Sequence, residues 1–477
     1  MITVCTAAQM RAAEERYVAG HPGVDLMQVA AGHVADLART MIAGKAGVAP
    51  GTRMSGSRVL VLVGPGNNGG DGLFAAADLG RSGAQVDLCQ VIGSAHPAGL
   101  AAATSAGCRR VSLDEVAAAD HDLVIDAVLG IGGRPGIPDR LAHLGRDLRR
   151  RGIPVLSVDL PSGLDADSGE VTTAVPATET MTFASRKWCH VVEPASLLCG
   201  RVHVVDIGVE QPGEPMATVD DLARWWPAPG PRDDKYSRGV VGLDTGSSTY
   251  PGAAVLGVLG ALRAGAGMVR FAGPQRAADL VLSRMPSVVV GRGRVQAWVV
   301  GSGWGPDADP DRLRRRVDEG VPVVVDADAL RLLSTGRMRL PAGSLLTPHA
   351  GELARLLDLS REEVSVRPRE SALTAAARWG ATVLLKGSVQ WVAGPDGQVD
   401  VALPGPAWTA QAGSGDVLAG ICGSLLAAGL SARRAALAGA SIQALTADRW
   451  RGPISPDALA DHLPQVIGDL TTPARRV

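Results

Sequence analysis

The sequence predicts an α/β protein of two domains, the first a doubly wound, mainly parallel sheet and the second a further α/β unit. Three observations lead there. The chain has 477 residues, more than one hydrophobic core usually serves. Short apolar runs alternate with stretches whose apolar residues recur at helical spacing, the pattern of strand, helix and parallel strand. Most of these runs stop at glycine-rich or polar turns, and in an open α/β sheet the carboxyl ends of the strands are where ligands sit.

Composition narrows the function classes. Apolar residues make up 46% and charged residues 20%, a globular balance. Aromatic residues are 3%, too few for the stacking surfaces that single-stranded nucleic acid needs. A net charge of -1 leaves no basic footprint for nucleic acid or anionic lipid. Arginine supplies nearly all the cations; lysine occurs only at 45, 187, 235 and 386, which singles those positions out. Cysteines 5, 89, 108, 189, 199 and 422 form no C-x-x-C and no Cys/His cluster, so buried thiols are expected rather than disulfides or a zinc site. Arg11, Glu14, Glu15 and Arg16 interrupt any secretory segment, and no apolar run reaches ~18 residues. A soluble, cytoplasmic protein is expected, assembled as a homo-oligomer, with no membrane or nucleic-acid partner.

Residues 6 to 18 and 24 to 41 read as helices covering one face of the first sheet, parted by Gly20-His21-Pro22-Gly23. The apolar run Val59 to Val63 leads into Gly64-Pro65-Gly66-Asn67-Asn68-Gly69-Gly70-Asp71-Gly72, before a helix over 73 to 81. This turn holds few side chains and many bare N–H groups at a helix start, a place suited to phosphate, and Asn67, Asn68 and Asp71 add oxygen ligands. Its spacing is not the dinucleotide fingerprint, so an ordinary Rossmann dehydrogenase is not indicated. A strand over 85 to 91 and an alanine-rich helical segment follow. The strand Leu123 to Asp126 then opens into a second flexible loop, Gly130-Ile131-Gly132-Gly133-Arg134-Pro135-Gly136. A helix near 139 to 151 feeds a strand at 155 to 159 that stops at Pro161-Ser162-Gly163-Leu164-Asp165. Asn68, Asp126, Asp159 and Ser162 are expected to converge, and Asp165 and Asp167 to lie on a solvated loop.

Val63 to Gly72, Asp126 with Gly130 to Gly136, and Val158-Asp159-Leu160-Pro161-Ser162-Gly163 together resemble the three signature motifs of the NAD(P)H-hydrate epimerase domain, the YjeF N-terminal family. The resemblance covers about residues 1 to 210 and implies a Rossmann-like fold. It implies that Asn67, Asn68, Gly69, Gly70, Asp71 and the loop Gly130 to Gly136 hold a damaged nicotinamide dinucleotide. Asp159 would be the catalytic residue at the reacting ring, and Asn68, Asp126 and Ser162 would ligate potassium, an ion suited to hard oxygen donors.

Residues 211 to 235, punctuated by Pro and Gly around Trp225 and Trp226, read as a linker with one short helix near 219 to 226. The domains are then 1–210 and 236–477. Beyond the linker, strands at 240 to 243, 269 to 271, 297 to 300, 321 to 325 and 344 to 346 alternate with helices. A hairpin at 383 to 392 precedes Ala412-Gly413-Ser414-Gly415-Asp416. There Gly413 to Gly415 can aim N–H groups, reinforced by a helix dipole, at a phosphate in transfer. Asp416 is placed to take the proton of an attacking hydroxyl, and a carboxylate base beside an anion hole is what phosphoryl transfer to an alcohol requires.

This segment resembles the ribokinase-like superfamily. With Tyr250-Pro251-Gly252-Ala253-Ala254, Val325-Asp326-Ala327-Asp328, Thr347-Pro348-His349-Ala350-Gly351-Glu352 and Leu385-Lys386-Gly387-Ser388, residues 222 to 475 look like the ADP-dependent NAD(P)H-hydrate dehydratase domain. The resemblance implies that Ala253, Gly303, His349 and Asp416 contact the hydrate. It assigns ADP to Lys386, Gly387, Ser388, Val389, Gln390 and Gly415, and magnesium to Glu352. Where the family usually has Gly-Pro-Gly-Leu-Gly, this chain has Gly301-Ser302-Gly303-Trp304-Gly305. Together the resemblances imply a bifunctional repair enzyme. The first domain would epimerise R and S hydrates of NADH and NADPH; the second would dehydrate the S form with ADP, giving AMP and phosphate. An alternative is a kinase of a small alcohol whose first domain is a regulatory nucleotide-binding module.

Overall fold

The computed structural model describes residues 1–46, 54–118, 121–335, 338–450 and 452–471. The chain divides into two compact units, Ile2–Gly213 and Glu214–Val477.

The first unit is built on seven strands in the spatial order Arg109–Val111, Gln85–Gln90, Arg58–Val63, Leu123–Ala127, Val155–Val158, Glu179–Phe183 and Arg201–Val205. Every neighbouring pair is parallel. Such a sheet needs cover on both faces, and the sequence supplies it by alternation. Val59, Val61 and Val63 pack among residues of the helices Leu26–Ala46 and Gly66–Arg81; Leu60 and Leu62 join Leu141, Leu144 and Leu148 of the helix Asp139–Arg150. The chain runs outward from Arg58–Val63 in one direction, then returns to lay Leu123–Ala127 on its other side. The crevice between these two strands is therefore the topological switch point.

The helices expected at 6 to 18 and 24 to 41 are Ala7–Gly20, begun by a Thr6/Gln9 capping box, and Leu26–Ala46. One element differs from expectation. The glycine-rich segment is itself helical from Gly66 on, rather than a turn ending near residue 73. A Cβ on Gly69 would lie 2.0 Å from the Gly64 carbonyl oxygen, and one on Gly72 2.3 Å from the Ala127 side chain, so bare backbone lets this helix press against the sheet.

The second unit carries strands in the order Val289–Val290, Met268–Phe271, Val240–Asp244, Ala297–Val300, Val323–Val325, Leu345–Leu346, Thr382–Leu385, Trp391–Ala393, Val399–Val401 and Glu214–Met216. Pairing is parallel through Thr382–Leu385, then antiparallel across Trp391–Ala393 and Val399–Val401. Glu214–Met216 and the helix Val219–Trp225 arise from the stretch expected to be a linker. Met216 pairs with Val401, and Leu222 and Trp226 are buried in this unit's core. Alanine and glycine let its helices approach closely: a Cβ on Gly420 would meet the Gly257 carbonyl oxygen at 2.0 Å. Among the described residues no helix is long and apolar enough to cross a membrane. All six cysteines are buried free thiols.

Candidate active sites

The first site occupies the switch point. A cleft of about 960 Å³ is lined by Gly66, Asn67, Asn68 and Asp71 of the glycine-rich helix, by Gly130 to Gly133, and by Asp159. Gly69 and Gly70 face inward instead; a Cβ on Gly70 would stand 2.5 Å from the Met27 sulfur. Arg134 and Pro135 are exposed and do not line the cleft, nor does Gly136, whose N–H donates to the Gly163 carbonyl at 2.8 Å.

Asp126 is wholly buried. Its Oδ1 accepts from the Ser162 hydroxyl at 2.5 Å, and its Oδ2 from the Ser162 N–H at 2.8 Å and the Ser157 hydroxyl at 3.1 Å. Burial still pushes its pKa up. Asn68 presents both amide atoms buried and without a hydrogen-bond partner. Gly130 makes room for this group: a Cβ there would lie 2.9 Å from Asn68 Oδ1 and 3.1 Å from Asp159 Oδ2. Since buried polar atoms are almost always partnered, the bare Asn68 oxygen, in a cleft that Asp159 also lines, fits a cation or a ligand donor.

Asp159 sits at φ +67°, uncommon for a residue with a side chain. Its Oδ2 accepts from Ile131 N–H at 3.0 Å; its Oδ1 accepts from the Thr182 hydroxyl at 3.1 Å and lies 2.8 Å from Lys187 Nζ. Lys187 is 1% exposed and also donates to Thr182 Oγ1 at 2.7 Å. Burial opposes charge on Asp159, but the lysine and the hydrogen bonds outweigh it and hold the pKa below the ordinary carboxylate value. The neighbouring Asp71 and Glu14 shift upward, first through burial and then through the negative charge of Asp159. Lys187 has no role in the sequence reading; the only signal that marked it was the scarcity of lysine. Asp167, expected on a solvated loop, is exposed but accepts from Ala7 N–H at 2.6 Å, tying that loop to the first helix.

The second site gathers at the carboxyl ends of Ala297–Val300 and Val323–Val325 and at the start of the helix Ser414–Ala427. Gly303, at φ +67°, approaches Ala253 so closely that a Cβ would lie 2.6 Å from the Ala253 Cβ. Gly413, at φ +92°, precedes the helix, whose first turn carries Gly415 and Asp416. The hub is Asp326, which follows the strand Val323–Val325 and to which the motif resemblance gives no role. Its Oδ2 accepts from the Ser302 hydroxyl at 2.9 Å, and its Oδ1 from the Thr347 hydroxyl at 2.8 Å and Lys386 Nζ at 2.9 Å. A Cβ on Gly415 would be 3.2 Å from Lys386 Nζ, so the lysine adjoins the glycine turn. Burial pushes the Asp416 pKa up to about 7, and like charge on Asp326 adds to it, partly offset by Lys386. Burial works against charge on Lys386 too, but Asp326 outweighs it and raises its pKa.

His349 starts the helix Ala350–Leu357 by accepting from Gly351 and Glu352 N–H through Nδ1, at 3.0 and 3.2 Å. Its ring remains accessible, and partial burial lowers its pKa. Glu352 closes the capping box by accepting from His349 N–H at 2.8 Å. Gly387 and Ser388 are exposed, and Val389 and Gln390 half-buried, between the antiparallel strands Thr382–Leu385 and Trp391–Ala393. Trp304, unusual for the motif, turns inward: its Nε1 donates to the Asp244 carbonyl at 2.8 Å and its ring lies under Arg312. Among the described residues no group of three or more His, Cys, Asp or Glu is arranged to hold a metal.

Two α/β units, each ending its strands in a lysine-anchored aspartate beside a glycine turn, define a two-site enzyme of the nucleotide-handling class. The family models agree: one described as YjeF-related protein N-terminus matches residues 23–189, and one described as NAD(P)H-hydrate dehydratase matches residues 241–467. The chain is 43% identical to a bifunctional NAD(P)H-hydrate repair enzyme of Mycobacterium tuberculosis, covering 90% of this chain and 89% of that one. It is 41% identical to the Mycobacterium leprae enzyme of the same description, covering 90% of each. The chain belongs to the family of bifunctional NAD(P)H-hydrate repair enzymes. Among solved structures, the ADP/ATP-dependent NAD(P)H-hydrate dehydratase of Bacillus subtilis, co-crystallised with ATP and Mg²⁺, is 25% identical with a TM-score of 0.50. It covers 54% of this chain and 99% of its own. A ribokinase-like superfamily protein of Enterococcus faecalis, 22% identical with a TM-score of 0.51, shares the fold of the second unit over 54% of this chain and 97% of its own.

Proposed function

We propose that this chain repairs hydrated nicotinamide dinucleotides, the first unit epimerising R and S hydrates of NADH and NADPH and the second dehydrating the S hydrate with ADP. The observation that carries the reading is the contrast between the two aspartates. Asp159 is held ionised by Lys187, whereas Asp416 titrates near neutrality beside Lys386 and an open glycine turn.

In the second unit, Asp416 accepts the proton of the C6 hydroxyl as that oxygen attacks the β-phosphorus of ADP, and AMP leaves. Lys386 and the N–H groups of the turn at Gly413 to Gly415 balance charge on the transferred group. The ring nitrogen then expels phosphate from C6, and loss of a C5 proton restores the dihydronicotinamide. Hydrate and ADP thus become NAD(P)H, AMP and phosphate. Ala253 and Gly303 bound the ring's place, His349 its rim, and the turn Lys386 to Gln390 takes the nucleotide. Magnesium fits with the nucleotide rather than with a prebuilt protein cage, consistent with the Bacillus subtilis complex with ATP and Mg²⁺. Glu352, engaged in its capping box, is suited to orient water around such an ion.

In the first unit, inversion at C6, a carbon that carries both the hydroxyl and the ring nitrogen, requires one of those bonds to break and re-form on the opposite face. Asp159, ionised and fixed beside Lys187, is suited to take the hydroxyl proton as the C6–N bond opens and to return it when the ring closes. The unpartnered Asn68 oxygen, with Asp126 and Ser162, fits a potassium ion, which would supply a fixed positive charge next to the dinucleotide phosphates.

The test is product stoichiometry. With S hydrate and ADP, dihydronicotinamide, AMP and phosphate should appear in equal amounts. Accumulation of a stable phosphorylated compound without dihydronicotinamide would identify a small-alcohol kinase instead.

A further inference from the structure

The strand ends of the first unit form a track longer than the cleft around Asp159. In spatial order the sheet runs from Val155–Val158, which leads into Asp159, through Leu123–Ala127 and Arg58–Val63 to Gln85–Gln90 and Arg109–Val111. These five strands are parallel, so their carboxyl ends share one edge. The first three deliver Asp159, Gly130 and the segment Gly66 to Asn68 to the cleft already described. The last two frame a separate cavity of about 520 Å³. It lies three to four strand spacings from Asp159, roughly 14–19 Å, on the scale of an extended dinucleotide rather than of a single nucleotide.

The two cavities adjoin. Pro65 lines the cleft and Gly93 the second cavity, and a Cβ on Gly93 would lie 3.1 Å from the Pro65 ring. The floor of the second cavity is apolar: Val91, Ile92 and Val111 are half-buried against the cluster that holds Leu60 and Leu62, a wall suited to the face of a base. Its rim is polar. Gln90 Nε2 donates to the Gly93 carbonyl at 2.6 Å, which fixes the amide so that its oxygen accepts from Arg110 Nη2 at 3.4 Å. Arg109, one position earlier and so on the other face of its strand, is taken up by Asp87 at 2.9 Å. Among the described residues lining this cavity Arg110 alone is charged, and it is exposed.

In a dinucleotide-binding sheet, a carboxylate at this place holds the ribose 2′-hydroxyl, whereas a nearby arginine accommodates a 2′-phosphate. Here the lining carries an arginine and no carboxylate, so a dianion meets attraction without repulsion. Guanidinium and phosphate also match in shape, through paired N–H donors. We propose that this cavity is the adenosine subsite of the first unit and that Arg110 binds the 2′-phosphate, so that the unit prefers the hydrate of NADPH to that of NADH. The inference rests on the reading of the first unit as an epimerase given above.

The experiment measures kcat/KM for conversion of R to S hydrate on the NADPH and NADH forms side by side, without ADP so that dehydration does not intervene. Full-length wild type is compared with Arg110→Ala and Arg110→Lys. Wild type should favour the NADPH form, and Arg110→Ala should shrink that preference about tenfold, through KM rather than kcat, the size of one charge-assisted hydrogen bond. Arg110→Lys, which keeps the charge but loses the fork, should retain part of it. A wild type indifferent to the 2′-phosphate, or a folded Arg110→Ala with the wild-type preference, overturns this inference alone. Should Arg110→Ala not fold, as judged by circular dichroism, inhibition of wild-type epimerisation carries the test. Adenosine 2′,5′-bisphosphate should then compete about tenfold more tightly than adenosine 5′-monophosphate, and equal inhibition overturns the subsite. A wild type that epimerises neither hydrate overturns the reading of the first unit and this inference together.

Discussion

The two units solve one electrostatic problem in opposite ways. Each places an aspartate at the carboxyl edge of a parallel sheet and a lysine within 3 Å of a carboxylate. In the first unit the lysine touches the proposed catalytic aspartate itself, so Asp159 stays ionised despite burial. In the second the lysine touches a neighbour, Asp326, whose charge adds to burial in raising Asp416 to about 7. Identity and position along a strand do not decide what an aspartate does. Which carboxylate the cation contacts decides whether the group is a fixed charge or a base poised to take a proton.

The comparison is broken most severely by Asp416→Asn, which should lower dehydration roughly 10²- to 10⁴-fold while leaving epimerisation intact, as chromatographic separation of R and S hydrates would show. Lys187→Met should do the reverse. It strands a buried Asp159, costing about 3–5 kcal/mol in the unfolding of the first unit, measured by denaturant titration, with loss of epimerisation and retention of dehydration.

Acidity sharpens the contrast. With Asp416 as the proposed base, dehydration should climb as pH rises through about 7, whereas epimerisation should be flat there because Asp159 is already charged. The stability signs also differ. The folded pKa of Asp159 lies below its unfolded value of 3.8, so its contribution is present above that pH and lost as pH falls through the folded pKa. Asp416 is raised, so its ionisation erodes stability as pH rises from 3.8 towards about 7; Asp416→Asn should therefore melt higher than wild type at pH 8 and gain less at pH 5. A smaller effect tests the packing beneath the first site. Gly72→Ala, whose methyl would meet Ala127 at 2.3 Å, should cost about 1–3 kcal/mol without a change of pH profile.

Much of this arrangement is legible in the chain. The alternation of apolar runs and helical patterns anticipates both α/β units, and the glycine turns mark the strand ends and helix starts at which Asn68, Asp159 and Asp416 are found. What is not legible depends on tertiary distance. Lys187 and Asp159 stand 28 positions apart, and Ser302 and Asp326 are 24 apart; nothing local announces either pairing. Gly69 and Gly70 read as ligand contacts because glycine serves phosphate binding and close packing equally well, and only the proximity of the Gly64 carbonyl and Met27 separates the two uses. The short helix expected near 219 to 226 is Val219–Trp225, but the three-residue strand Glu214–Met216 is masked by the prolines and glycines around it.

The most direct measurement of the account is the extent of recovery from an equal mixture of R and S hydrates with excess ADP, followed by dihydronicotinamide absorbance faster than the hydrates interconvert unaided. Wild type should recover all of it, Asp159→Asn should stop at half, and Asp416→Asn should recover none. Wild type halting at half while its dehydratase remains active, or Asp159→Asn running to completion, would contradict the assignment of epimerisation to the first cleft.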